Sequence, residues 1–156
     1  MSERTWRVVV GADSAGLEYK EQIKADLLAD PRVASVEDVG VSAEDPGAPY
    51  PEVGLAAAQR IAAGEADRGI LICGTGIGMA ISANKVPGIR ATTAHDGFSA
   101  ERSVLSNNCQ VLAMGQRVIG VELARRLASE WLGYVFDEQS PSAAKVAVIE
   151  AYERDS

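Results

Sequence analysis

Gly69-Ile70-Leu71-Ile72-Cys73-Gly74-Thr75-Gly76-Ile77-Gly78 runs a short aliphatic segment straight into glycines that alternate with Thr75 and Ile77. Unbroken aliphatic residues of this length read as a strand buried on both faces, and the glycines read as a turn that opens a helix over residues 79–84. Cys73 stands at the tip of that strand. The same alternation extends in both directions. Upstream, Val8-Val9-Val10 begins an apolar run ending in Gly11-Ala12-Asp13-Ser14-Ala15-Gly16. A helix follows, with Leu17, Ile23, Leu27 and Leu28 at helical spacings among Glu, Lys and Asp, until Asp30-Pro31 stops it. Residues 33–39 make a second strand. Residues 42–51 hold three prolines and a glycine, the composition of a loop, here placed to cover a site, and a helix over 52–63 comes next. Downstream come a fourth strand at 89–94, a helix at 99–106, a fifth strand at 111–114 and helices at 121–132 and 142–152.

Strands alternating with helices at this spacing predict an α/β fold of Rossmann-like, doubly wound type, with a mainly parallel five-stranded sheet and helices on both faces. In such sheets the ligand crevice lies beyond the carboxyl ends of the strands, where the turns named above all fall. With 156 residues, 47% of them hydrophobic, the chain suits one domain over 1–156. The last helix has no clear sheet-facing role and is expected to pack on a partner subunit.

The net charge of −7 gives a field that repels nucleic acid and anionic membranes, so neither is an expected partner. No apolar run of about 18 residues is present. Met1-Ser2-Glu3-Arg4-Thr5-Trp6 lacks the apolar core of a signal peptide, which predicts a cytoplasmic protein. The two cysteines, Cys73 and Cys109, are separated by 35 residues and match no compact metal pattern, so neither a disulfide nor a metal is expected.

Glycines let backbone N–H groups approach a ligand closely, and a helix beginning there favours negative charge, so the residues after Cys73 form a cradle for an oxyanion. A free cysteine titrates at about 8.5, and a helix N-terminus can lower that value, which would make Cys73 available as a base. The opposing reading, a small buried core residue, fits most intracellular cysteines and is kept for Cys109. At a strand end beside an anion-binding loop the functional reading of Cys73 prevails. A nucleotide-binding loop is the competitor, with Asp96 about 20 residues beyond Gly76. However, the spacing is Gly-x-Gly-x-Gly, the turn follows the third strand, and no Gly-Lys-Ser/Thr loop is present.

The stretch 69–78, together with Ala83-Asn84-Lys85-Val86-Pro87-Gly88-Ile89-Arg90-Ala91, Asn107-Asn108 and Val111-Leu112-Ala113-Met114-Gly115-Gln116-Arg117-Val118-Ile119-Gly120, resembles the ribose-5-phosphate isomerase B and galactose-6-phosphate isomerase family. The likeness runs from Val8 to about Tyr152. It implies a homodimer that can pair into tetramers, active sites built from two subunits, a small phosphorylated sugar as substrate, and no cofactor. In the cysteine-containing branch, the residue matching Cys73 moves a proton between adjacent carbons through a cis-enediol or enediolate. The loop residues Gly74, Gly76, Ile77 and Gly78 would then steady the developing oxyanion, for which preset donors are worth about 3–4 kcal/mol each. Thr75 either exchanges a proton with the substrate oxygens or bonds the backbone of its own loop. Asp13 resembles a sugar-hydroxyl ligand, against the alternative of a helix cap. Tyr50 matches a pocket-lining position, or is a half-buried loop aromatic. Asn107 matches a site residue, or turns the chain. Arg117 matches an arginine that reaches across the dimer to the phosphate, a task suited to its planar fork, or is a solvated surface group.

The chain departs from the ribose-5-phosphate pattern at several positions. Asp13-Ser14 replaces Asp-His, and Ser106-Asn107 replaces the His-Asn whose histidine opens the furanose ring. His95, the single histidine, lies eleven positions before Ser106 and is either a crevice residue or a structural one. A terminal arginine pair is thinned to Ser140-Pro141 and Lys145, where Lys145 either holds phosphate as a point charge or is solvated. Ribose 5-phosphate cyclises through the oxygen on carbon four, and a four-carbon sugar phosphorylated at that oxygen cannot. Such a substrate makes the missing histidine dispensable. Asp13-Ser14-Ala15-Gly16, His95-Asp96 and Ser106-Asn107-Asn108 are similar to the family's erythrulose-phosphate isomerases, so D-erythrulose 4-phosphate with D-erythrose 4-phosphate is the expected pair. Ribose 5-phosphate with ribulose 5-phosphate is the alternative within the class, and a sugar-phosphate or nucleotide sensor without catalysis the alternative outside it.

Overall fold

A computed structural model of the chain describes residues 5–156; residues 1–4, read above for a targeting signal, lie outside the described residues. The elements follow the order β1 (Trp6–Ala12), α1 (Leu17–Leu28), β2 (Val33–Asp38), α2 (Tyr50–Ala62), β3 (Arg68–Cys73), α3 (Ile77–Ala83), β4 (Ala91–Thr93), α4 (Gly97–Leu105), β5 (Val111–Gly115), α5 (Val121–Leu132) and α6 (Ser142–Asp155). The strands form one sheet in the order β2-β1-β3-β5-β4, and each pairing is parallel. Neighbours β1 and β3 lead in opposite directions across the sheet, which creates the switch point where a crevice opens.

Alternation along the central strands divides the core. Val8, Val10, Ile70, Ile72, Leu112 and Met114 face one side, against Ile23 and Leu27 of α1, Val104 of α4 and Leu127 and Trp131 of α5. Val9, Leu71, Cys73, Val111 and Ala113 face the other, against Val53 and Ala57 of α2 and Met79 and Ala83 of α3. The sheet is therefore doubly wound, and the period of two sends Cys73 to the α2/α3 side.

Two buried cations tie strand ends to their surroundings. Lys20 donates to Asp38 Oδ2 at 2.6 Å and to the Val41 carbonyl at 3.0 Å, while the Val41 amide donates to the Ala12 carbonyl at 2.9 Å. The chain leaving β2 is thereby fastened beside the end of β1, next to Asp13. Arg68 lies 3.9 Å from the Trp6 ring centre and 4.8 Å from that of Trp131, and donates to the Trp131 carbonyl at 2.8 Å and to the Tyr134 carbonyl.

Several boundaries differ from the sequence reading. The fourth strand was expected over 89–94 but holds only three residues, Ala91–Thr93. Ile89 is drawn into a turn through its bond to the Val86 carbonyl, and the Arg90 amide is taken by the Gln110 side chain at 2.8 Å, so neither joins the ladder. Helix α2 starts at Tyr50 instead of 52, because Pro49 ends the extended loop and Pro51 is tolerated in the first turn. Helix α6 buries only Val146 on its own chain and adds bonds from the Gly88 amide to Glu153 and from Arg90 to Glu150. Its Val148, Ile149 and Tyr152 stay exposed. Among the described residues, no helix is long and apolar enough to cross a membrane.

Candidate active site

Beyond the carboxyl ends of β1 and β3 lies a cleft of about 400 Å³ that brings together Asp13, Tyr50, Cys73, Gly74, Thr75, Ile77, Gly78 and Arg117. These positions span more than a hundred residues of sequence, yet each follows a strand or opens the helix after it. A larger groove of about 800 Å³ separates α1 from α5, but its charges are spent on each other in the pairs Arg125–Asp26 and Arg32–Asp30, and the hydroxyl that lines it, Ser129, accepts from Arg32 at 3.3 Å. Chemistry, and not size, singles out the smaller cleft.

Cys73 is 5% exposed, at the floor of the cleft, and its Sγ accepts the Gly76 amide at 3.1 Å. Gly76 has φ of 80° and passes so close to Met114 that a Cβ would lie 2.9 Å from its carbonyl carbon. Only glycine satisfies both demands, and the amide reaches the sulfur for that reason. The Ile77 amide donates to Thr75 Oγ1 at 3.2 Å. Two of the loop's amides are thus already engaged, one on the sulfur and one on the threonine hydroxyl, so the cradle offers fewer open donors than the sequence suggested. Helix α3 is only seven residues long, which makes the individual first-turn amides, more than any macrodipole, the available donors.

Asp13 lines the cleft, and its Oδ1 accepts the Ala15 amide at 3.0 Å in a local turn. The Tyr50 ring lies flat against Gly78, and Arg117 runs along Gly74, whose absent Cβ would meet Arg117 Cδ and Nη1 at 3.5 Å. Arg117 therefore belongs to the cleft of its own chain. The bond from its amide to the Gly74 carbonyl, 3.0 Å, folds the end of β5 back over the loop.

The other expected residues lie elsewhere. Ser14 is exposed beside the cleft without lining it. His95 stands behind the loop, where its Nε2 accepts the Gly115 amide at 2.8 Å; burial pushes its pKa below the ordinary histidine value, so it stays neutral and keeps that lone pair. Ser106 accepts from Arg102 Nε at 2.8 Å, Asn107 borders a separate groove with Arg90 and Cys109, and Lys145 is exposed on α6. None of these three reaches the cleft of its own chain.

Ala15 and Ile81 line the cleft without having been singled out. Ile81 carried a signal, since it lies one helical turn after Ile77 and both are more than half exposed, at 57% and 56%. Thr93, behind the loop, carried none.

A family model described as Ribose/Galactose Isomerase matches residues 8–149. A D-erythrulose-4-phosphate isomerase 2 from Mycolicibacterium smegmatis is 64% identical over 147 residues, covering 94% of this chain and 97% of that protein. Ribose-5-phosphate isomerase B of Escherichia coli is 40% identical over 131 residues, covering 84% and 86%. The structure of type B ribose 5-phosphate isomerase from Leishmania infantum superimposes with a TM-score of 0.90 at 33% identity, covering 97% of this chain and 98% of that one. The chain belongs to the ribose/galactose isomerase family and is an isomerase.

Proposed function

We propose that this isomerase interconverts D-erythrulose 4-phosphate and D-erythrose 4-phosphate, with Cys73 as the base. The observation that carries the reading is the Cys73 sulfur on the floor of the cleft, held by the Gly76 amide and overlooked by a threonine hydroxyl, an aspartate and an arginine. Starting from the aldose, Cys73 Sγ takes the proton from C2. The electron pair forms the C1–C2 double bond, and the charge moves to the carbonyl oxygen, where first-turn and loop amides steady it. Thr75 passes a proton between the two oxygens. The cis-enediol then takes back the proton from Cys73 at C1, giving the ketose. A positioned base contributes about 10²- to 10⁴-fold and each oxyanion donor about 3–4 kcal/mol, a sufficient scale for enolisation without further groups.

Asp13 holds a sugar hydroxyl, Tyr50 walls the cleft and Arg117 meets the phosphate. The resemblance of the sequence to enzymes with shared sites supports a homodimer, able to pair into tetramers, in which Ser106, Asn107 and Lys145 serve the partner's cleft and the exposed face of α6 is covered. In this reading Ser106, at the position of the ring-opening histidine, favours the tetrose, as does the 64% identity to a D-erythrulose-4-phosphate isomerase. Ribose 5-phosphate is the second reading, supported by the 40% identity to the Escherichia coli protein.

Turnover of both substrate pairs by purified protein tests the proposal: a higher kcat/KM on the tetrose pair is expected, and a clear preference for the pentose rejects it. Cys73→Ala tests the mechanism separately, since a variant of near-normal turnover removes Cys73 as the base.

A further inference from the structure

We propose that Thr93, on the edge strand β4, is a positioning residue that sets the Gly76–Ile77 peptide of the cradle from behind the loop, without touching the substrate. Thr93 does not line the cleft. Its Oγ1 donates to the Gly76 carbonyl at 2.9 Å, across 17 positions of sequence.

The bond matters because of what else holds the loop. The carbonyls of Cys73 and Gly74 are fastened by backbone alone, accepting the amides of Gln116 at 2.9 Å and Arg117 at 3.0 Å. The facing strand end is fastened by His95, which accepts the Gly115 amide. Gly76 is the joint between these anchors and α3, a glycine at positive φ whose backbone is less restricted than that of Thr75 and Ile77 beside it. Among the described residues its carbonyl otherwise accepts only the Ala80 amide, at 3.2 Å.

A peptide unit is planar, so fixing the Gly76 oxygen fixes the Ile77 N–H on its far side. That N–H donates to Thr75 Oγ1, and the preceding amide, of Gly76 itself, donates to Cys73 Sγ. One hydroxyl on β4 therefore sets the direction of the Ile77 bond to the proposed proton relay, and it anchors the residue whose own amide meets the proposed base. Val at 93 would keep the β-branched shape and leave the carbonyl paired with Ala80, so the fold is not threatened.

The kinetic consequence rests on the isomerase chemistry proposed above, and the dynamic one does not. Thr93→Val is expected to lower kcat about tenfold with KM within about twofold, a fraction of the 10²- to 10³-fold loss when a donor is removed outright. It is also expected to speed amide hydrogen exchange at Gly76 and Ile77 by at least about fivefold, with β1 and α5 unchanged. Thr93→Ser, which restores the hydroxyl, should return both. Unchanged exchange at Gly76 and Ile77 in Thr93→Val, acceleration spread evenly over the sheet, or a serine variant that fails to recover overturns the assignment, as does an unchanged kcat in an active Thr93→Val. Wild-type protein that turns over neither substrate pair defeats the proposed function, while the exchange measurement still decides whether Thr93 governs the loop.

Discussion

Tyr50 lays its ring against Gly78 so closely that a Cβ on the glycine would stand 2.2 Å from the ring's Cε1. The first residue of α2 and the second of α3 thus share one wall of the cleft, and the glycine exists there as a space for the tyrosine. Because Tyr50 is 41% exposed, its ring can yield outward without disturbing the core. Gly78→Ala is therefore expected to lower kcat/KM about tenfold through misplaced substrate while leaving the melting temperature nearly unchanged. The double variant Tyr50→Ala/Gly78→Ala should be no worse than Tyr50→Ala alone, since the methyl acts through the ring. Additive losses would show that Gly78 matters for another reason.

The two cysteines should differ sharply in reactivity. Cys109 is buried on the flank of β5, and burial pushes its thiol up to about 11, with Arg90 only partly opposing. At pH 8 a thiol of that kind is about one part in a thousand thiolate, the form that attacks alkylating agents. Cys73 opens onto the cleft. Iodoacetamide followed by peptide mass spectrometry should find Cys73 modified well before Cys109, and a sugar phosphate in the cleft should slow only the first. Equal labelling would mean that the cleft does not admit small molecules to Cys73.

The parts of the site that follow a strand were legible in the sequence for one reason: in a parallel sheet every carboxyl end points the same way, so an apolar run followed by turn residues fixes both an element and its place. Asp13, Cys73 and Arg117 each follow such a run, and Tyr50 opens the helix after a proline-rich loop. The rest depended on information that periodicity does not carry. Ile89 and Arg90 look like strand residues, but a turn and the Gln110 side chain claim their backbone. The insertion of β5 between β3 and β4 is a property of the whole sheet. Thr93 and His95 matter through single bonds to glycines on other elements. Ser106, Asn107 and Lys145, expected at the site, lie on surfaces away from this chain's cleft.

His95 predicts how stability depends on pH. Its folded pKa lies below the value of about 6.5 expected for an unfolded histidine, because burial disfavours the charged form more than Asp96 favours it. Above about pH 6.5 both states are neutral and the full contribution is present. As pH falls below that value the unfolded chain takes up a proton first, so stability declines until the folded pKa is passed, where protonation also removes the acceptor for Gly115. Denaturant unfolding of the wild type should show this decline as pH falls below about 6.5, and His95→Gln should flatten it. The same slope in both proteins would assign the acid sensitivity to carboxylates instead.

Arg68 offers the clearest test of what secures the sheet away from the cleft. It enters at the start of β3, stacks between Trp6 and Trp131, and donates to the carbonyls of Trp131 and Tyr134 where α5 ends. Trp6 Nε1 donates to the Leu132 carbonyl at 2.9 Å, so three carbonyls at the end of α5 are met by groups from β1 and β3. A methionine at 68 would fill the space between the indoles but take the guanidinium from both carbonyls, of which that of Trp131 keeps the Tyr134 amide at 3.2 Å, and would leave the rings without their cation. Losing charge-assisted hydrogen bonds and cation–π stacking in a buried setting costs about 2–4 kcal/mol. In a chain of this length that corresponds to a fall in melting temperature of about 4–16 °C. Because the cleft is at the opposite ends of the strands, Arg68→Met should retain its kcat at temperatures where it is folded. A loss of turnover without a loss of stability would mean that the amino-terminal end of β3 communicates with Cys73, which the packing of this sheet gives no reason to expect.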